Sequence, residues 1–470
     1  MPPKRPPPKL DFRALQAPPA ATRRTTPRQL IDSHIHLYTS EQLESGKVVW
    51  PMKDGGPAQL SGAHELADYG RVSKEGIKRV AGGTIEFAGV VFVQAECVSC
   101  SEFSRKRARL MARTVRAEHD DSDEDGNKGG WDAALHEIES VCAAALASDV
   151  KLLALVPWAP VHHGSSALEL YLPRLFSQPS LVALTAKLGY APIKSFRYLL
   201  QDSPKGFFLS DKFLDGLRYL GDKGYAFDMC LDATNTDVGG PLVLEDAVEA
   251  IAKVRELQKD GEQTRFMLDH FAKPDLTVDS TNPPSAFQRA YAMGLFSLAL
   301  LPNVYLKLSA LLDSANPELV KEAFANFRQG NSTKSKRKNT GYETLMARIL
   351  AYLEPAIEAF GESRIVVGSG ESLHSTSSSA LPPFHSSRHR ILIVMSPLPI
   401  PATDWPMFRA KTVSASSTAP AFDSPDSADE EAAAWAFEMQ LYLDCLVEVG
   451  LEGEALDRIY GENAREFYRL

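Results

Sequence analysis

The chain has 470 residues, 44% hydrophobic and 24% charged, a balance that excludes wholesale disorder and collagen-like order. A net charge of -9 argues against a nucleic-acid binder working by bulk positive charge. Five cysteines are too few, and odd in number, for a disulfide-stapled scaffold and fit a reducing compartment, so the expected location is cytoplasmic.

Residues 1–29 are rich in proline and basic side chains and lack the apolar run of a secretory signal, so they read as a disordered tail. From residue 30 onward, short runs rich in Val, Ile and Phe alternate with longer segments of helical period. The predicted strands are 30–37, 89–95, 151–158, 193–199, 225–230, 265–270, 303–308 and 364–369. The predicted helices are 131–146, 168–188 (in pieces, because of Pro173 and Pro179), 211–223, 244–260, 284–300 and 342–360. In the segment from Asp211, that residue can cap, Phe213, Leu214, Leu217 and Leu220 form one stripe, and Gly224 ends it. Stretches at 104–130, 330–341 and 411–431 are charge blocks or are rich in small polar residues, and read as surface inserts. No segment approaches the ~18 consecutive apolar residues of a membrane span. The longest tempting run, 391–400, is broken by Pro397 and Pro399. Eight strands with helical crossovers predict an α/β fold, a TIM-like (β/α)8 barrel over 30–470. The open doubly wound alternative would need a phosphate-binding glycine loop after an early strand, and none is present.

In such a barrel the active site lies at the C-terminal ends of the strands. The first strand ends Asp32-Ser33-His34-Ile35-His36. Residues two apart on a strand share a face, so His34 and His36 project together, as half of a transition-metal site or a polar pocket for an oxyanion. The sixth strand ends Asp269-His270. His270 is a third candidate ligand or acid/base group, and Asp269 is expected to point the other way into a structural hydrogen bond. Arg197 on the fourth strand is read as an anion clamp, with a buried structural ion pair as the alternative. His162 and His163 carry no assigned role. Cys97 and Cys100 lack a second pair at zinc spacing. Lys307 is read as a lysine covering a barrel end.

Three segments together resemble the amidohydrolase-related (amidohydrolase 2) family, and its lactonase branch in particular. They are Ile31-Asp32-Ser33-His34-Ile35-His36-Leu37, Leu268-Asp269-His270-Phe271-Ala272-Lys273-Pro274 and Asn303-Val304-Tyr305-Leu306-Lys307-Leu308-Ser309-Ala310. The closing Ile459-Tyr460-Gly461-Glu462-Asn463-Ala464-Arg465 is similar to that family's last-helix motif. One departure stands out. The family's eighth strand ends in a continuous Gly-Ser-Asp-Trp-Pro, whose aspartate is catalytic or metal-binding. Here the chain reaches Ser369 and the motif resumes only at Asp404-Trp405-Pro406. Removing 370–403 restores the motif. Gly370-Glu371-Ser372 can be encoded by a sequence containing a consensus splice donor, so the segment reads as a translated intron, with a genuine loop insertion as the alternative.

The resemblance implies a hydrolase of a small carboxylated or sugar lactone, acting by water attack at the carbonyl. Asp404 would be the general base, His270 and Arg197 further catalytic groups, and His34 and His36 the ligands of at most one divalent metal, zinc first, or none. The fifth strand lacks the histidine of a binuclear site, and Lys194 on the fourth shows no sign of being carbamylated. A metal-dependent decarboxylase of the same family is the alternative. So is a barrel made inactive because the insert displaces Asp404. The expected partner is a small-molecule substrate, with no nucleic acid and no membrane.

Overall fold

The computed structural model describes residues 27–45, 48, 63–95, 131–259, 263–279, 283–329, 340–370 and 425–470. The predicted inserts at 104–130 and 330–339, and residues 371–424 with Asp404, lie outside the described residues, as do Cys97, Cys100 and the tail up to residue 26. Eight short strands appear where the apolar runs predict them: β1 (Arg28–Ile35), β2 (Ile85–Val93), β3 (Leu152–Val156), β4 (Ser195–Leu199), β5 (Ala226–Cys230), β6 (Phe266–Leu268), β7 (Val304–Leu308) and β8 (Ile365–Val367). They pair parallel in chain order, β1 to β3 and β4 to β8. Parallel bridges Leu155–Ile193 and Trp158–Arg197 join the two groups.

At the far edge β8 returns to β1. The Gly370 N–H donates to the His34 carbonyl at 3.0 Å. A Cβ on Gly368 would lie 2.9 Å from both the backbone N and the Cβ of His34, so only glycine allows the approach. The result is a TIM-like barrel. Its interior is filled by Ile31, Val91, Val93, Ala154, Val156, Met267 and Val366, and one end is closed by Phe467 and Tyr468 of the last helix. Alternate strand residues, such as Leu30, Phe92, Phe196 and Phe227, face outward into the layer shared with the helices.

Helix Asp211–Asp222 buries Phe213, Leu217 and Leu220 of the predicted stripe and leaves Leu214 partly buried, and Gly224 at φ 84° ends it. Its cap is Ser210, not Asp211, which instead sits in the first turn, where a carboxylate complements the helix dipole. Segment 168–188 does divide, into Ser165–Phe176 and Pro179–Leu188, but only Pro179 marks a boundary; Pro173 is inside the first helix. Among the described residues, five α-helices lie outside the predicted set: Ser40–Glu44, Leu66–Gly76, Pro317–Arg328, Pro425–Glu448 and Gly453–Asp457. Helix Pro425–Glu448 corrects the loop expected at 411–431 over 425–431, residues 411–424 lying outside the described ones; its run Ala432–Ala436 packs Trp435 fully into the core. Likewise Thr340 is not loop but the capping-box residue of helix Gly341–Phe360, with Glu343 as its partner. No helix among the described residues is long and apolar enough to cross a membrane.

Candidate active site

The first strand reaches the site through a bulge. Between Asp32 and Ile35 the chain advances three residues while β2 advances two, from Val90 to Phe92. The extra residue turns His34 onto the same inner face as Ile31 and keeps Ile35 outside with Leu30. Asp32, facing the helices, clasps the bulge. It accepts the His34 N–H at 3.2 Å, the Ser369 N–H at 2.8 Å, the Tyr69 hydroxyl at 2.5 Å and the Trp435 indole N–H at 3.4 Å. Burial raises the Asp32 carboxyl against the opposing pull of the Ser369, Tyr69 and His34 donors.

His34, His36 and His270 meet at one end of the barrel. The His34 and His36 Nε2 atoms are 3.1 Å apart, and the His34 and His270 ring centroids 4.5 Å. His36 Nδ1 is 2.7 Å from the Val93 carbonyl, so that nitrogen carries the proton and Nε2 offers its lone pair. His270 Nδ1 lies 2.9 Å from Ser309 Oγ. Burial lowers its imidazole to about 3 and holds His34 well below the ordinary histidine value, with Lys307 and the neighbouring His270 acting the same way, so both rings are neutral at neutral pH. His270 opens a left-handed turn: residues 270 to 273 all have φ of 53° to 54°. The turn is held by the Tyr291 hydroxyl donating to the Phe271 carbonyl and by the Ala233 N–H donating to the Ala272 carbonyl at 2.9 Å. Four consecutive non-glycine residues in this region cost backbone energy that the surrounding packing must offset.

Two expectations are corrected here. Asp269 does not point away. It is fully buried, 3.5 Å from His34 Nδ1, 3.4 Å from Arg197 Nε and 2.9 Å from Lys307 Nζ. Strand pairing stops at Leu268, so Asp269 shares the inner face with Met267, and the left-handed turn then brings His270 back to the same side. Lys307 does not cover a barrel end. It is fully buried between Tyr305 and Ser309 on the inner face, with Nζ 2.7 Å from Asp228 Oδ2. Burial alone would raise the Asp269 carboxyl, but Lys307, His34 and Arg197 hold it well below the usual range. Burial would lower Lys307, and the two aspartates keep it raised instead. Asp228 also accepts from Ser195 Oγ at 2.5 Å and from Tyr468 OH at 2.9 Å.

Arg197 makes the buried ion pair that was the alternative to an anion clamp. It is 3% exposed, pairs with Asp269, donates Nη1 to the Gln94 carbonyl at 2.7 Å, and places the same nitrogen 3.5 Å from His36 Nε2. His162 packs among the rings of Trp158, Tyr198 and Phe207. Lys194 lies beside the Tyr190 ring, in the field of Arg265 and Arg469, before β4 begins and so at the other end of the barrel.

Above the histidines lies a cavity of about 420 Å³ lined by His36, Arg197 and His270, and by Gln201, Cys230, Asp232, Lys273 and Asp275 among others. The sequence reading missed these last five; each follows or ends a strand, which was the available signal. His34 and His36 fit as two ligands of one ion: both Nε2 atoms face one another, His36 has the required tautomer, and Asp269 can accept an Nδ1–H from His34. Among the described residues no three His, Cys, Asp or Glu side chains are arranged to hold a metal.

A family model described as amidohydrolase matches residues 103–470. L-rhamnono-gamma-lactonase of Scheffersomyces stipitis is 29% identical over 161 residues, which are 33% of this chain and 42% of that protein. The match therefore spans less than half the length of this curated relative. A crystal structure of an amidohydrolase from Burkholderia multivorans with bound zinc aligns with a TM-score of 0.49 and 16% identity, over 94% of this chain and 99% of that one. Amidohydrolase 2 from Bifidobacterium longum subsp. infantis aligns with a TM-score of 0.43 and 15% identity, over 94% and 99%.

Proposed function

Because this chain belongs to the amidohydrolase family, whose model matches residues 103–470, we propose that it hydrolyses a small lactone, sugar-derived or carboxylated, by attack of water at the ring carbonyl. The observation that carries this reading is the cavity floor, where His36, Arg197 and His270 stand together at the strand ends. The partial likeness to a protein named as a lactonase points the same way.

In this reading Arg197 holds the carbonyl oxygen or a substrate carboxylate. Its guanidinium is already oriented by Gln94 and Asp269, so little reorganisation is needed as charge develops. His270 is neutral. With the Ser309 hydroxyl donating to Nδ1, its proton sits on Nε2 and is set to donate to the forming oxyanion. Asp404, which lies outside the described residues, takes the proton of the attacking water and returns it to the ring oxygen as the carbonyl C–O bond breaks. A divalent metal, zinc first, would be held by His34 and His36 and would polarise the carbonyl.

The test is acid release by the purified full chain, and by a form lacking 370–403, from a panel of sugar and carboxylated lactones, with and without added zinc or manganese. Turnover of at least one lactone is expected, with Arg197→Met raising KM most for carboxylated members. Folded protein of both forms that opens no lactone in the panel would sink the reading.

A further inference from the structure

We infer that Lys307 is the resident cation of the barrel interior: its ammonium fills the position, between Asp228, Asp269 and His34, that a divalent metal ion would otherwise take. This inference stands apart from the lactone reading and holds for whatever reaction the site performs.

The contacts of Lys307 are those of an ion, not of a solvated side chain. It has no exposed surface. Its ammonium stands 2.7 Å from Asp228 Oδ2, 2.9 Å from Asp269 Oδ1 and 3.4 Å from His34 Nδ1. Two carboxylates and an imidazole around one point are a donor set of the kind that binds zinc or manganese. Here they are spread to N···O distances, whereas metal–oxygen bonds are about 2.0–2.2 Å. That spacing explains why no metal-holding cluster stands among the described residues as they are. Both aspartates have further partners. Ser195 and Tyr468 donate to Asp228, and Arg197 faces the second oxygen of Asp269. A cation tethered to β7 cannot dissociate, so the interior keeps its charge balance whatever ions surround the protein. With Lys307 in His34's Nδ1 direction, any metal is confined to the Nε2 edge shared with His36.

The experiment counts metal ions on the full chain. Chelator-stripped protein is equilibrated with zinc or with manganese at buffered micromolar concentrations, freed of unbound metal, and measured by mass spectrometry. Wild type is expected to hold no more than one ion per chain. Lys307→Ala is expected to hold one more than wild type under the same conditions, and to gain thermal stability with metal beyond any gain of wild type. Lys307→Ala combined with Asp228→Asn should return to the wild-type count. If Lys307→Ala folds only when metal is supplied, the inference is supported by that dependence. Two tightly held ions in wild type would overturn it without recourse to any variant. So would a Lys307→Ala protein that holds no more metal than wild type, or one that stays unfolded with and without metal.

Discussion

His36 is 8% exposed and ties one ring nitrogen to a backbone carbonyl while the other faces the cavity. His36→Ala is therefore expected to lower lactone hydrolysis by about 10²-fold or more and to leave a single cooperative unfolding transition, measured by initial rates and by calorimetry. His270 tests the electrostatics. Its folded value of about 3 lies below the 6.5 of an unperturbed histidine, so as pH falls the unfolded chain takes up the proton first. The stability that the neutral ring contributes at neutral pH is lost between those two values. His270→Asn should accordingly show a smaller drop in Tm between about pH 7.5 and about pH 5 than wild type. An equal drop would mean that the ring does not carry this dependence. Asp269 is more severe, because Asp269→Asn leaves Lys307 and Arg197 with a neutral partner in the barrel interior. Removing one member of a buried ion network costs roughly 3–5 kcal/mol, which chemical denaturation would read.

At the scale of elements, the site depends on how β1 meets β8. The bulge between Asp32 and Ile35 aims His34, Asp32 fastens it, and Gly368 lets β8 come close enough for the Ser369 N–H to join the clasp. Gly368→Ala puts a methyl 2.9 Å from the His34 backbone N and Cβ. Neither is the end of a flexible side chain, so the strands must separate. A loss of about 1–3 kcal/mol is expected from overpacking. Hydrolysis should fall further than the stability change explains, since His34 moves with the strand. Wild-type activity in this variant would show that closure and site are independent.

For the whole molecule, the proposed base stands far along the chain from the strand that should present it. Deleting 370–403 joins Ser369 directly to Asp404. Ser369 is buried against the Asp32 clasp beside β1, so the next residue in the shortened chain leaves from the same strand tip as the histidines. The deletion is expected to create or increase hydrolase activity and to raise soluble yield. Sequencing of mature transcripts is the independent check. If every message retains the segment and the deletion lowers stability, the segment is a working part of the protein.

Much of this was legible in the residues. Eight apolar runs at strand length, separated by helical stripes, specified eight strands, because burial on both faces demands Val, Ile and Phe there. The strand ends located His34, His36 and His270, because in a parallel barrel every C-terminal tip faces the same side, and the fourth strand carried Arg197. What local pattern could not decide was which way a side chain turns where the pattern breaks. Strict alternation puts Asp269 and His270 on opposite faces, and only the left-handed turn, held by Tyr291 of the following helix Ala286–Ala299, puts both inside. Lysine on a short strand reads as surface. Lys307 is buried because Asp228 on β5 and Asp269 just past β6 stand within 2.9 Å of its ammonium. The His34 bulge, the closure at Gly368 and this internal ion network are agreements between segments far apart in the chain. Their energies come from register and charge pairing across strands, and those exist only once the barrel has closed.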